Sequence, residues 1–288
     1  MLNHSKVSLE STHQGNGFNL SAAELQEIAK KLRRHVITMI ATAGSGHPGG
    51  SLSAADIIAA LYFNVLRHNP DDPQWPDRDR FILSKGHAAP ILYAALAETG
   101  YFPVAELSTL RKLDSRLQGH ADRNFTPGVE MSAGSLGMGL SFAIGIALSA
   151  KLDSKNYHTY VLLSDGECEE GQTWEAALSA DQFNLDNITA IVDYNGIQLS
   201  GRISDIMNLE PFIQKWQAFG WHTIDINGHD LNKILSACQE AEKMKGKPTV
   251  IVARTIKGKG VSFMENNVAF HGKAPTLEEA ERALKELE

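Results

Sequence analysis

Two cysteines in 288 residues, Cys168 and Cys238, are too few and too far apart for a disulfide framework, and without a CxxC pair they offer no structural zinc site. That usage points to a reducing cytoplasm. Net positive charge is missing as well: 27 Lys and Arg face 34 Asp and Glu, a formal charge of −7. Nucleic-acid and anionic-membrane surfaces call for clustered cations that displace counterions, so neither is expected as a partner. An anionic ligand would have to be held by local chemistry. No apolar signal core opens the chain, and residues 1–18 read as a flexible polar arm. The uncharged run MSAGSLGMGLSFAIGIALSA, Met131 to Ala150, approaches spanning length, but Gly and Ser break it into a turn and a short apolar helix. A buried core helix is expected there, with no membrane span. No GxxxxGK[ST] exists, so a P-loop is unsupported. A literal GxGxxG occurs at Gly44, Gly46 and Gly49, yet an amphipathic helix precedes it and Pro48 lies inside, which sets the dinucleotide fingerprint aside.

What the chain does have is alternation. Leu25, Ile28, Leu32, Val36 and Met39 stand at helical spacing and predict an amphipathic helix from Ala22 to Ala43, ending at Gly44. SLSAADIIAALYFNVL predicts a second helix capped by Ser51 or Ser53, followed by the proline-broken loop NPDDPQWPDRDR. The strand RFILS leads into a helix in GHAAPILYAALAETG, and a glycine turn near 134 precedes the apolar helix. Strands at 160–163, ITAIVDY, WHTIDI and TVIVARTI then alternate with helices near 173–183, 211–219 and 230–244. The tail TLEEAERALKELE reads as a solvated amphipathic helix. Three strands are continuous apolar runs, as when helices cover both faces of a parallel sheet. The expected fold is α/β, a doubly wound parallel sheet with helices on both faces, with residues 19–288 as one domain.

The run VLLSDGECEEG, Val161 to Gly171, ends a buried strand in four carboxylates. In open parallel sheets ligands sit at the carboxyl ends of strands. Asp165 lies at one such end, and Asn195, Gly196 and Ile197 lie at the next. One carboxylate, one amide oxygen and free carbonyls suit Mg²⁺, which takes few protein ligands together with phosphate oxygens and water.

Ser164-Asp165-Gly166, then 27 residues, then Tyr194-Asn195 resembles the thiamine diphosphate signature, with Ser164 and Tyr194 departing from its usual Gly and Asn. SGHPGG, DRDRFILSKGHA, GHADRNFTPGVEMSAGSLGMG and RTIKGKG resemble transketolase, in transketolase order, over roughly residues 20 to 275. The resemblance implies a diphosphate-binding domain with Asp165, Asn195 and the Ile197 carbonyl on Mg²⁺, Ca²⁺ or Mn²⁺ being possible substitutes. It implies Gly166, Asn195 and His87 at the diphosphate of thiamine diphosphate, Lys257 and His271 near the cofactor, and the turn Gly134-Ser135-Leu136 against its rings. His47, His120 and His271 match histidines of the substrate channel, and imidazole suits proton transfer to and from sugar hydroxyls near neutral pH. Glu170 matches a glutamate at a dimer interface, and Glu167 and Glu169 are expected in solvated or interface roles. Nothing resembles the family's pyrimidine-binding or C-terminal domain, so the expectation is the N-terminal subunit of a split transketolase. Its partner subunit would carry the activating glutamate in a heterotetramer acting on sugar phosphates. The alternatives are the cofactor half of a 1-deoxyxylulose-phosphate synthase or oxo-acid dehydrogenase, and a non-catalytic cofactor-binding protein.

Overall fold

Ser21 starts the first helix in the computed structural model, which describes residues 18–288: its hydroxyl accepts from the Glu24 amide (3.3 Å) while Glu24 Oε2 accepts from the Ser21 amide (2.8 Å). This reciprocal cap satisfies two orphan donors of α1, Ala22–Ala43. The helix closes at Gly44, whose φ of +62° costs glycine nothing. Of the expected N-terminal arm only Phe18 lies within the described residues, with its amide donating to the Phe63 carbonyl (2.9 Å).

The second helix differs from expectation. It begins at Pro48, as α2, Pro48–Ser53, and continues through α3, Ala55–Ala60, into a π turn at Leu61–Val65. Proline suits a first helical position, where no amide hydrogen is needed. Ser51 and Ser53 are inside the helix, not caps, and their hydroxyls donate back to the carbonyls of His47 (2.9 Å) and Gly50 (3.3 Å).

The strands are β1, Arg80–Leu83; β2, Thr159–Ser164; β3, Ile188–Tyr194; the two-residue pair β4, Ile197–Gln198, and β5, Gly201–Arg202; β6, His222–Asn227; and β7, Thr249–Arg254. Five form one all-parallel sheet in the order β1-β2-β3-β7-β6, while β4 and β5 make a small antiparallel ribbon. The remaining helices are α4, Ala89–Glu98; α5, Met138–Leu152; α6, Gly171–Gln182; the short α7, Ile203–Ile206; α8, Phe212–Ala218; α9, Leu231–Lys243; and α10, Leu277–Glu286.

Alternate strand residues serve opposite faces. Tyr160, Leu162, Ile191 and Ile251 pack with α1, α3, α4 and α9, whereas Val161, Leu163, Val192 and Val252 pack with α5, α6 and α8. Helices on both faces leave the sheet dry, which explains the unbroken apolar runs of β2 and β3. Helix α5, uncharged up to Lys151 in its last turn, is one of these covering helices, and no helix among the described residues is long and apolar enough to cross a membrane. The tail helix is less solvated than its charge pattern suggests: Ala280, Ala283 and Leu287 are buried in the core that includes α1, and Arg34 Nη1 donates to the Leu284 carbonyl (2.8 Å). An amphipathic stripe needs an apolar partner, and α1 supplies it.

Candidate active site

The pairing register sets Ser164 beside Asp193 and Tyr194 beside Arg254, so the turns after β2, β3 and β7 open on one edge of the sheet. Asp193 is fully buried there. One carboxylate oxygen accepts from Lys85 Nζ and from Ser53 Oγ (2.6 Å), and the other accepts from Thr255 Oγ1. Lys85, equally buried, also donates to the Gly50 carbonyl (2.9 Å). Burial pushes the Asp193 carboxyl up, but the Lys85 charge and these donors outweigh it and hold the group below the usual carboxylate range. The ion pair therefore ties α2, β1, β3 and β7 together beneath the site.

Above it lie the three residues expected at the metal. Asp165 accepts from the amides of Gly166 (2.8 Å) and Gly196, bridging the turns after β2 and β3. Burial, and then the nearby Asp193 carboxylate, push its pKa up to about 6. Asn195 Oδ1 accepts from the Ile197 amide (3.2 Å), and the Ile197 carbonyl accepts from Lys257 Nζ (2.6 Å). A carbonyl has two lone pairs, so one remains available to a cation. Among the described residues no three His, Cys, Asp or Glu side chains group as a metal site. The candidate set has a different character: one carboxylate, one amide and one carbonyl, all hard oxygens. That set fits a Mg²⁺ ion whose shell is completed by phosphate and water, and a cation would offset the cost of ionising buried Asp165 beside Asp193. Lys257 is pulled down to about 8, first by burial and then by the Lys85 charge.

Four histidines converge beside these residues. His47 precedes α2, His87 sits in the 3₁₀ turn entering α4, His271 ends a 3₁₀ turn after β7, and His120 lies in the loop before α5. The His47 ring is 5.6 Å from His87, 6.4 Å from His120 and 5.8 Å from His271, and His87 stacks on His271 at 5.2 Å. Lys257 Nζ lies 2.8 Å from His271 Nδ1. Glycines make this proximity possible: a Cβ at Gly50 would stand 3.1 Å from His87 Nε2, and one at Gly49 would stand 2.9 Å from the Phe270 carbonyl.

Burial is the main reason all four imidazoles lose affinity for a proton. His47 falls to about 4, with Arg111 and His120 adding to the effect of burial, and His271 to about 3, with Lys257 adding to it. His87 falls well below its ordinary value, helped by Lys85, and His120 falls, helped by Arg111. Near neutral pH each ring can thus donate from one nitrogen and accept at the other. Their folded values lie below the unfolded one, so the stability they contribute is present above pH 6.5 and is lost as pH falls toward 4. We expect the imidazole proton resonances of His47 and His271 to stay flat between pH 8 and 5; a midpoint near 6.5 in either would contradict this environment.

The turn Gly134-Ser135-Leu136 is exposed to half-buried, next to Ala133, whose carbonyl would lie 2.8 Å from a Cβ at Gly86. Glu167, expected in a solvated or interface role, is instead fully buried. It accepts from Ser84 Oγ and the amides of Gly137 (2.8 Å) and Ser164 (3.2 Å). The reason is local: α5 starts with unsatisfied amides over the end of β2, and an acid two residues beyond Asp165 reaches them. Glu169 is half-buried and Glu170 is exposed. Lys85, Asp193, Ser53 and Thr255 are not foreseen from sequence pattern. An Asp near the end of an otherwise apolar strand, IVDY, is the available signal, since a carboxylate in a dry sheet requires a buried cation.

Comparison with known proteins places the chain in a family. The family model described as "Transketolase, thiamine diphosphate binding domain" matches residues 24–287. The chain is 45% identical to the 6-deoxy-6-sulfo-D-fructose transketolase subunit SqwG of Clostridium sp., covering 92% of this chain and 96% of that one. It is 43% identical to one of the subunits of the apulose-4-phosphate transketolase of Actinobacillus succinogenes, over 94% and 99%. Among solved structures, the transketolase of Campylobacter jejuni superimposes with a TM-score of 0.88 at 35% identity, covering 93% of this chain and 43% of that one. The chain thus spans less than half of that transketolase, but nearly all of the two relatives named as subunits. This chain therefore belongs to the transketolase family, as its thiamine diphosphate-binding part.

Proposed function

We propose that this chain is the cofactor-binding subunit of a two-subunit transketolase of the cytoplasm, which moves a two-carbon ketol unit from a ketose to an aldose with thiamine diphosphate and Mg²⁺. The observation that carries this reading is the cluster of four uncharged histidines beside a strand-end set of hard oxygens. Asp165, Asn195 and the Ile197 carbonyl would hold the metal, with Gly166, Asn195 and His87 at the diphosphate and Gly134, Ser135 and Leu136 against the rings. When bound, thiamine diphosphate supplies the carbon nucleophile and the electron sink for carbon–carbon cleavage.

The protein's part is placement and proton transfer. His47, His120 and His271 are neutral near pH 7, so one can take a proton from a sugar hydroxyl while another returns one. Burial, with the Lys257 charge adding to it, keeps His271 neutral, and Lys257 Nζ sits 2.8 Å from its Nδ1. A cofactor-storage protein has no physical need for such rings. The names of the relatives, each a transketolase subunit, support a separate partner chain that brings the activating glutamate, in a heterotetramer with two copies of each.

Isolation from native cells with Mg²⁺ and thiamine diphosphate, followed by mass spectrometry, tests the partner. A stoichiometric companion resembling the remaining transketolase domains, and ketol transfer by the complex, are expected. A chain that emerges alone and supports no transfer with any such companion would overturn the reading. In the complex, His120→Ala should lower kcat about 100-fold, as for loss of a general acid–base, with cofactor affinity within about twofold of wild type.

A further inference from the structure

His229 takes no part in the metal, cofactor or proton-transfer roles assigned above, yet both of its ring nitrogens are engaged. Nδ1 lies 2.7 Å from Asp56 Oδ2, and Nε2 accepts from the backbone amide of Ile256 at 2.8 Å. A backbone N–H can only donate, so Nε2 keeps its lone pair, and the ring proton sits on Nδ1 and goes to the carboxylate. The carboxylate is itself fixed. Asp56 is buried in α3, and Arg33 of α1 clamps it through Nη1 (3.1 Å) and Nη2 (2.6 Å) while Arg33 Nε donates to the Leu52 carbonyl (3.3 Å). A guanidinium fork on both oxygens leaves the carboxylate little freedom to turn. The backbone of His229 is pinned as well: its amide donates to Asn227 Oδ1 (3.0 Å), and the Gly228 amide donates to the Arg254 carbonyl (2.8 Å). A Cβ at Gly228 would stand 2.5 Å from Thr255 Cγ2, so glycine lets the turn after β6 lie against the turn after β7.

Ile256 stands between two residues that reach the site. Thr255 Oγ1 donates to Asp193, while Lys257 Nζ donates to the Ile197 carbonyl (2.6 Å) and lies 2.8 Å from His271 Nδ1. The Thr255 amide is held by the Tyr194 carbonyl (3.1 Å) and the Gly258 amide by the Gly49 carbonyl (3.0 Å), whereas the Ile256 amide is held by a side chain. Lys257 is buried, and a Cβ at Gly49 would stand 3.2 Å from its Cγ, so its stem has no room to make up for a shifted backbone. We propose that His229 is a positioning residue for Lys257: oriented by Asp56, it fixes the Ile256 amide and so sets where the ammonium is delivered between the Ile197 carbonyl and His271. This deepens the transketolase reading, on which it rests for what Lys257 serves. Helices α1 and α3, through Arg33 and Asp56, thereby bear on the carboxyl edge of the sheet.

Two amide substitutions separate the two bonds of the ring. In His229→Gln the side-chain oxygen falls near the Nε2 position and can accept from Ile256, while the link to Asp56 is lost. In His229→Asn the amide nitrogen falls near Nδ1 and can donate to Asp56, with nothing left for Ile256. Urea unfolding should rank His229→Asn at or above His229→Gln, because buried Asp56 keeps its second partner. The site should rank them the other way, which a purely structural role does not allow. In the full chain without cofactor, His229→Asn should move the Ile197 carbonyl-carbon and His271 imidazole resonances, and His229→Gln should leave them near wild type. Thiamine diphosphate affinity at fixed Mg²⁺ should fall about tenfold in His229→Asn, the effect of one hydrogen bond, and less than about threefold in His229→Gln. Unmoved resonances in His229→Asn, or equal shifts in both variants, overturn the positioning role. Resonances that move as expected while cofactor affinity stays at wild type support the positioning of Lys257 and count against its place at the cofactor in the proposed function. If neither variant folds, the nitrogen-15 resonances of wild-type His229 at pH 8 decide: the Nδ1–H tautomer supports the bond from Ile256, and the Nε2–H tautomer overturns it.

Discussion

Asp165→Ala should lower the Mg²⁺-dependent affinity for thiamine diphosphate by at least about 100-fold, equivalent to about 2.7 kcal/mol. Of the three oxygens assigned to the metal, Asp165 supplies the one formal negative charge, and a hard cation depends on it more than on an amide or a carbonyl. The same carboxylate accepts from the amides of Gly166 and Gly196, so its removal also loosens the two turns that carry the other ligands. Asp165→Asn separates the effects, since it keeps an oxygen and the shape but loses the charge. Calorimetric titration of cofactor at fixed Mg²⁺ reads both variants, and Asp165→Ala binding within threefold of wild type would remove Asp165 from the metal. In the wild type, protons compete with the cation once pH falls below about 6, where this carboxyl titrates in the unloaded chain. Affinity should therefore decline as pH is lowered from 7 to 5.

Lys85→Met should destabilise the fold by about 3–5 kcal/mol, the usual effect of stripping one partner from a buried ion pair. Both side chains have zero exposure, and among the described residues no other ammonium or guanidinium bonds to Asp193. Ser53 and Thr255 would still donate to the carboxylate, but two hydroxyls do not neutralise a charge in a dry sheet. The double variant Lys85→Met/Asp193→Asn should lose less than the sum of the two single changes, because the second removes the charge that the first strands. Urea unfolding of all four proteins measures this coupling. A loss below about 1 kcal/mol in Lys85→Met, or simple additivity, would mean that the pair does not act as a unit.

The parts of this molecule legible in its sequence are those governed by short-range pattern. Apolar runs mark β2, β3 and β7 and their parallel arrangement, because burial on both faces leaves a signature within a single strand. Residue identity at strand ends marks Asp165 and Asn195. What stays hidden depends on distant partners. Nothing in SLSAAD indicates that Ser53 donates to an aspartate 140 residues later, or that the helix begins at Pro48 and not at a serine cap. Glu167 shows the same limit: a glutamate between two other acidic positions reads as solvated until Ser84 and Gly137 are brought against it. The tail helix displays its polar face in sequence, but its apolar face takes its meaning from α1.

The Lys85–Asp193 pair also puts events in order during synthesis. The two residues are 108 positions apart. At about 5–20 residues per second, Lys85 leaves the ribosome roughly 5–20 s before Asp193 does. Through that interval the turn after β1 has a lysine that cannot be buried without stranding a charge, so the first half of the chain has reason to remain open. Parallel pairing between remote strands is slow in any case, since loop closure precedes its reward. Only when β3 emerges can Asp193 fold Lys85 inward, and the floor of the site closes later still, once Thr255 follows β7 against the same carboxylate.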